Sequence, residues 1–281
     1  MLLDRVSIFN DVEVLKAFPK SGQKQVFLVV HPVYGKVVLK VVDHMDDRVQ
    51  REIDLVNSNT IPGVPKIFDT GTFSCDDKDY FFYYEEYLDG ETLKEVLKSR
   101  KLSVKETVEM MSDLLNAIVE LEKLRVIHRD IKPENIILTS DGKFHLIDFG
   151  IARILDLTSL TLTNVQFGPH TPGYGAPETF RYDKSSIDSR ADLFSLGVVA
   201  YESVFGEHPF VSGNEANVQE IWYKTETYAT IDKTIKGDKS HQLFGFISTL
   251  MQKQPSKRPP SAATALKWFS SVLDTISIDE E

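Results

Sequence analysis

The periodicity of the apolar residues changes once along this chain, near residue 88, and that change limits the fold more than any other feature. Before it, β-branched and aromatic residues gather in short runs: VEVLK (12–16), VFLVV (26–30), GKVVLKVV (35–42), KIFDTG (66–71) and YFFYYEEYL (80–88). Runs of this kind form strands. One helix interrupts them, in DDRVQREIDLVNSN (46–59), where Val49, Ile53 and Val56 recur at helical spacing.

Beyond residue 90 the pattern is helical. Ser103-Val-Lys-Glu106 is a capping box that opens a stripe of Val104, Val108, Met111, Leu114, Ile118 and Leu121, predicting a helix to about Leu124. ADLFSLGVVAYESVFG (191–206) is apolar nearly all round and stops at Gly206, which predicts a buried helix. A last helix is expected over 261–273. A strand-rich start and a helical remainder predict an α+β, bilobal fold. Its small antiparallel β-sheet lobe with one helix spans 1–87, its larger mostly helical lobe spans 88–281, and the two join near Tyr87–Gly90.

Charge narrows the function. The net charge is −10, and both predicted lobes are acidic, with 10 Lys+Arg against 14 Asp+Glu up to residue 87. No basic domain is hidden in the average, so a nucleic-acid partner is excluded. The single cysteine, Cys75, has no internal disulfide partner, and no uncharged apolar run approaches the ~18–20 residues of a membrane span. The expected location is therefore cytoplasmic, with no membrane partner.

The chemistry concentrates in VIHRDIKPENIILTSDGKFHLIDFG (126–150). Asp141-Gly142 predicts a two-residue hairpin turn in which Ser140 faces Lys143 and, further down the ladder, Asn135 faces Asp148. Opposed residues bring Cβ atoms to about 4.5–5.5 Å. An amide oxygen and a carboxylate so placed suit Mg²⁺, which takes its remaining ligands from water and phosphates. Just before them stand His128, Arg129, Asp130 and Lys132: a carboxylate able to accept a hydroxyl proton beside a cation able to neutralise a moving phosphoryl group. In KVVLKVV both faces are apolar, so Lys40 needs a partner, and Glu52 on the interrupting helix is the nearest candidate.

HRDIKPEN (128–135), DFG (148–150), VVLK ending at Lys40, YGAPE ending at Glu178, the SRADLFSLG run and PSKRP around Arg258 occur in a fixed order over residues 10–270. In this the chain resembles the eukaryotic-type (Hanks) serine/threonine protein kinases. The resemblance implies ATP and Mg²⁺ as cofactors, a protein substrate with a Ser/Thr acceptor, and roles for particular residues. Asp130 matches the catalytic base, Lys132 the lysine on the γ-phosphate, and Asn135 and Asp148 the metal ligands. Lys40 matches the lysine holding the α/β-phosphates and Glu52 its helix partner. The backbone of Glu86 and Leu88 would meet the adenine edge, with Val26, Val38 and Ile137 packing on the ring. Asp192 matches an aspartate bracing the catalytic loop, and Glu178 with Arg258 an ion pair that closes the activation segment. The YGAPE segment belongs to the peptide-docking apparatus, and Lys132 with Thr171 resembles the Ser/Thr-specific branch. The compact chain looks like a bacterial or phage-borne member.

One stretch departs from the family. If Val26 ends the glycine-rich nucleotide loop, Pro19, Ser21 and Lys24 stand where its three glycines belong, and only Gly22 remains nearby. FPKSGQKQVF (18–27) then reads as a degenerate lid, with Ser21 small, Gly22 flexible and Lys24 cationic over the phosphates. Arg129 resembles the arginine that receives a phosphorylated activation segment, for which Thr158, Ser159, Thr161 and Thr163 are candidates, along with autophosphorylation. The cluster Lys94, Lys98, Arg100, Lys101 and Lys105 reads as a solvated helix face. Two alternatives stand beside an active kinase. One is a pseudokinase-like scaffold that binds nucleotide or a partner without turnover, favoured by the glycine-poor lid; the other is a small-molecule phosphotransferase, opposed by Lys132, YGAPE and Arg258.

Overall fold

The computed structural model describes residues 9–20, 24–43, 53–54, 57–148, 172–180 and 187–277. The chain divides into two compact units, residues 1–60, 65–89 and 151–163 in one and residues 61–64, 90–150 and 164–281 in the other.

The first unit is a five-stranded antiparallel sheet of β1 (Glu13–Ala17), β2 (Lys24–His31), β3 (Gly35–Val42), β4 (Ile67–Cys75) and β5 (Lys78–Glu86), in the order β1-β2-β3-β5-β4. The alternation of apolar residues sets which face is buried. Phe27 lies opposite Leu39 and Val29 opposite Val37, and these four join Val41, Phe9, Phe73 and Tyr84 in one core. Burying each such side chain is worth roughly 1.5–3 kcal/mol. The expected β1–β2 hairpin forms, with Phe18 N–H donating to the Val26 carbonyl at 2.9 Å. Ile53, the central apolar residue of the expected helix, is helical and buried.

The second unit holds α1 (Leu93–Ser99), α2 (Val104–Lys123), α3 (Pro177–Phe180), α4 (Ser189–Phe205), α5 (Val218–Thr227), α6 (Gln242–Leu250) and α7 (Ala262–Leu273). A small sheet of β6 (Gly90–Thr92), β7 (Ile136–Thr139) and β8 (Phe144–Leu146) completes it. α2 opens at the expected capping box: Glu106 N–H donates to Ser103 Oγ at 3.1 Å and Ser103 N–H to Glu106 Oε2 at 2.8 Å. Its whole predicted stripe is buried, packed on α4 and α7. α4 is buried almost throughout and ends at Gly206 with φ +75°, the left-handed stop that a side chain would resist.

The β7–β8 hairpin differs from expectation by one residue. Leu138 pairs with Phe144 and Ile137 with His145, while Thr139 N–H donates to the Lys143 carbonyl at 2.9 Å. The loop therefore has three residues, Ser140 to Gly142, and Ser140 does not face Lys143. Gly142 N–H closes the turn on the Thr139 carbonyl at 2.9 Å and Gly142 itself sits at φ +81°. A turn followed by a left-handed glycine is the common three-residue solution, here stabilised by the Thr139 hydroxyl donating to Asp141 Oδ1 at 2.5 Å.

Candidate active site

Lys40 lies on β3 in the first unit, on the sheet face shared with Val38 and Val42. Its ammonium pairs with Glu85 of β5, and both side chains are buried. The register explains the meeting: Lys40 is opposite Tyr83 and Val38 opposite Glu85, so Lys40 and Glu85 are diagonal neighbours on one face. Glu52, the partner expected from sequence, lies outside the described residues. Glu85 was missed because no local pattern tells that β5 is the neighbour of β3. At the end of β5, Glu86 N–H donates to the Lys66 carbonyl at 2.8 Å. Val26 and Val38 are half-buried, while their strand neighbours Phe27 and Leu39 are buried, and Leu88 is half-buried. Lys24 opens β2 opposite Val42.

The remaining chemistry belongs to the second unit, in the loop between α2 and β7. Asp192, buried on α4, accepts His128 N–H through Oδ2 and Arg129 N–H through Oδ1, both at 2.8 Å. Two successive N–H groups converging on one anion require a bent backbone, and Arg129 adopts φ +66°. Burial pushes the Asp192 carboxyl up to about 6, against the opposing pull of those two donors. The buried His128 ring links the loop to the end of β8. Its Nδ1 accepts Asp130 N–H at 3.3 Å, so the proton sits on Nε2, which donates to the Ile147 carbonyl at 3.1 Å.

This bracing presents Asp130. Its Oδ2 lies 3.1 Å from Lys132 Nζ and accepts Asn135 Nδ2 at 2.9 Å, while the Asp130 carbonyl takes the same Nδ2 at 2.9 Å. The amide nitrogen of Asn135 is thus engaged and its oxygen is left as an acceptor. Ile147 N–H donates to the Asn135 carbonyl at 2.9 Å, so Ile147, and not Asp148, opposes Asn135. Asp148 follows one residue later at φ +59°, where the strand has ended. Among the described residues no three His, Cys, Asp or Glu side chains could hold a metal by themselves. An amide oxygen and a carboxylate are hard ligands, few in number, and fit Mg²⁺ completed by water and phosphates. Ile137, half-buried, follows the buried Ile136 on β7.

Glu178 and Arg258 form a bidentate pair at 2.6 and 2.9 Å, and Arg258 also donates to the carbonyls of Gln252 and Arg190. Three of the five residues of the basic cluster are already paired: Lys94 with Glu134, Lys98 with Glu95 and Arg100 with Glu106. Ser21 and Gly22 of the lid, Phe149 and Gly150, and the candidate regulatory residues Thr158, Ser159, Thr161, Thr163 and Thr171 lie outside the described residues.

With this geometry in hand, the family profile of the protein kinase domain matches residues 24–269. The chain belongs to that family. It is 31% identical over 218 residues to the probable serine/threonine-protein kinase SCO3848 of Streptomyces coelicolor, covering 76% of this chain and 32% of the relative. It is 30% identical over 224 residues to the serine/threonine-protein kinase PrkC of Bacillus subtilis, covering 76% and 33%. The chain thus spans about a third of the length of these relatives. Among solved structures, Rad53 residues 1–466 in complex with AMP-PNP matches with a TM-score of 0.73 at 21% identity, covering 93% of this chain and 66% of that one, a likeness of fold. No described helix is long and apolar enough to cross a membrane.

Proposed function

We propose that this chain is a serine/threonine protein kinase that transfers the γ-phosphoryl group of ATP to hydroxyls of a protein substrate in the cytoplasm. The observation that carries the reading is the carboxylate of Asp130, held by Lys132 and Asn135 at one oxygen. A carboxylate fixed in this way is oriented to receive the proton of an acceptor hydroxyl. Lys132 is then positioned to counter charge on the phosphoryl group as it moves, and positioning with charge stabilisation supplies most of the catalysis in such transfers. Lys40 would bind the α- and β-phosphates, the Glu86 and Leu88 backbone the adenine edge, and Val26, Val38 and Ile137 its ring. Asn135 and Asp148 would hold Mg²⁺, which when bound neutralises phosphate oxygens.

The test is transfer of labelled γ-phosphate from ATP with Mg²⁺ to a generic basic protein and to the chain itself, comparing parent protein with Asp130→Asn. The expected result is transfer by the parent that is lost in the variant. A folded parent that transfers nothing, over a range of metal concentration and after phosphorylation of its activation segment, would overturn the reading.

A further inference from the structure

Lys40 and Glu85 share the sheet face of Val26 and Val38, the two strand residues proposed to pack on the adenine ring. Lys40 stands between Val26 of β2 and Tyr83 of β5, and Glu85 between Val38 of β3 and Ile67 of β4. Directly opposed residues point to one side of a sheet, so these six side chains lie together. Lys40, Tyr83, Glu85 and Ile67 are buried, and Lys40 Nζ lies 5.6 Å from the centre of the Tyr83 ring. The cross-strand neighbours of both charges are therefore aliphatic or aromatic, and the Lys40 ammonium meets the Glu85 carboxylate among them.

The two partners differ in how firmly they are held. β3 and β5 are interior strands, each paired on both sides, and their ladder runs without a bulge from Val37 with Glu86 to Val42 with Phe81. Glu85 cannot leave its place without opening the sheet. A lysine ammonium, on a flexible four-carbon stem, has no such fixity of its own. Among apolar neighbours and without a carboxylate it would turn toward water or give up its proton. An ammonium carries three donors, so one bond to Glu85 is compatible with bonds to phosphate oxygens.

We propose that Glu85 is a positioning residue for the nucleotide: from its fixed strand it keeps the Lys40 ammonium charged and directed at the α- and β-phosphates. The sheet itself then supplies an anchor for Lys40, a role the sequence assigns to Glu52 on the helix. The proposal rests on the kinase reading above.

The experiment separates the phosphates from the base. Affinities for ADP with Mg²⁺ and for adenosine are measured by titration calorimetry on the whole chain, as the parent, Glu85→Gln and Glu85→Asp, together with KM for ATP and kcat. Glu85→Gln keeps the size of the side chain and removes its charge. It is expected to weaken ADP about tenfold and raise KM for ATP by a similar factor, with adenosine held within about twofold. Glu85→Asp retains the charge on a shorter stem and should recover part of the loss, binding ADP about threefold more weakly than the parent. A merely structural role would weaken both ligands alike. Equal weakening of ADP and adenosine, unchanged ADP affinity in folded Glu85→Gln, or no ADP binding by the parent would overturn the proposal. If thermal unfolding shows that Glu85→Gln does not fold, Glu85→Asp decides, and parental ADP affinity in that variant would then overturn it. ADP binding that depends on Glu85, without any phosphate transfer, supports the anchoring of Lys40 and overturns the kinase reading.

Discussion

Lys40 and Glu85 are joined in a buried ion pair, their side chains only 3% and 5% exposed, on antiparallel strands one diagonal step apart. Removing two charges from water is costly, and their mutual attraction recovers the cost only while both are present. Lys40→Met and Glu85→Leu should therefore each destabilise the protein by leaving a buried unpaired charge, and the double variant should cost less than the sum of the two, with a coupling of about 1–3 kcal/mol. Urea unfolding of the four proteins in the cycle measures this. Strictly additive effects would mean the pair contributes no specific interaction.

Arg258 satisfies its guanidinium completely, with two bonds to Glu178 and others to the Gln252, Arg190 and Lys253 carbonyls, and its side chain is fully buried. A lysine has no planar fork and reaches fewer of these acceptors. Arg258→Ala should cost about 3–5 kcal/mol because Glu178 is left as a buried charge, with Arg258→Lys recovering part of that. Denaturant midpoints check the order, and a lysine variant as stable as the parent would contradict it.

Which features could be read from sequence follows from the range of the forces that set them. The capping box at Ser103 and the stop at Gly206 depend on residues within one or two turns, and both stand as expected. The buried stripe of α2 was equally legible, since helical spacing fixes a face without knowledge of its neighbour. Strand neighbours are a different matter. Glu85 reaches Lys40 only because β5 inserts between β3 and β4, a choice made by the whole sheet. The β7–β8 register failed for a smaller reason: Asp-Gly suits both a two-residue turn and the last two positions of a three-residue loop, and Thr139 with Asp141 selects the second. The bond from Asn135 to Asp130 had no sequence signal at all, because it depends on the bend of the intervening residues.

Two glycines separate backbone strain from steric exclusion. A Cβ on Gly142 meets nothing within 4 Å, so Gly142→Ala should cost only the left-handed conformation, about 1 kcal/mol, and Gly142→Asn less. A Cβ on Gly90 would lie 2.3 Å from the Leu138 carbonyl oxygen, so Gly90→Ala must push β6 off β7 and should cost several times more. Thermal unfolding of the three variants distinguishes the two causes, and equal losses for both alanines would refute the distinction.

Asp192 ties stability to pH through the catalytic loop. Its folded-state pKa of about 6 lies above the ordinary value of 3.8, chiefly because burial disfavours the charge. The folded protein then binds this proton more tightly than the unfolded chain. Stability from protonated Asp192 is complete below about pH 4 and is lost as pH rises through about 6, a difference of about 3 kcal/mol. Asp192→Asn cannot titrate, so its stability relative to the parent should rise between about pH 4 and pH 6 and then remain level. The activity should move the opposite way at neutral pH. The carboxylate serves two N–H donors and holds Arg129 at its left-handed φ, whereas an amide turns its own N–H groups toward one of them. The variant is therefore expected to have a lower kcat with KM for ATP unchanged, and a pH-independent stability difference between the two proteins would show that the buried carboxyl does not titrate as described.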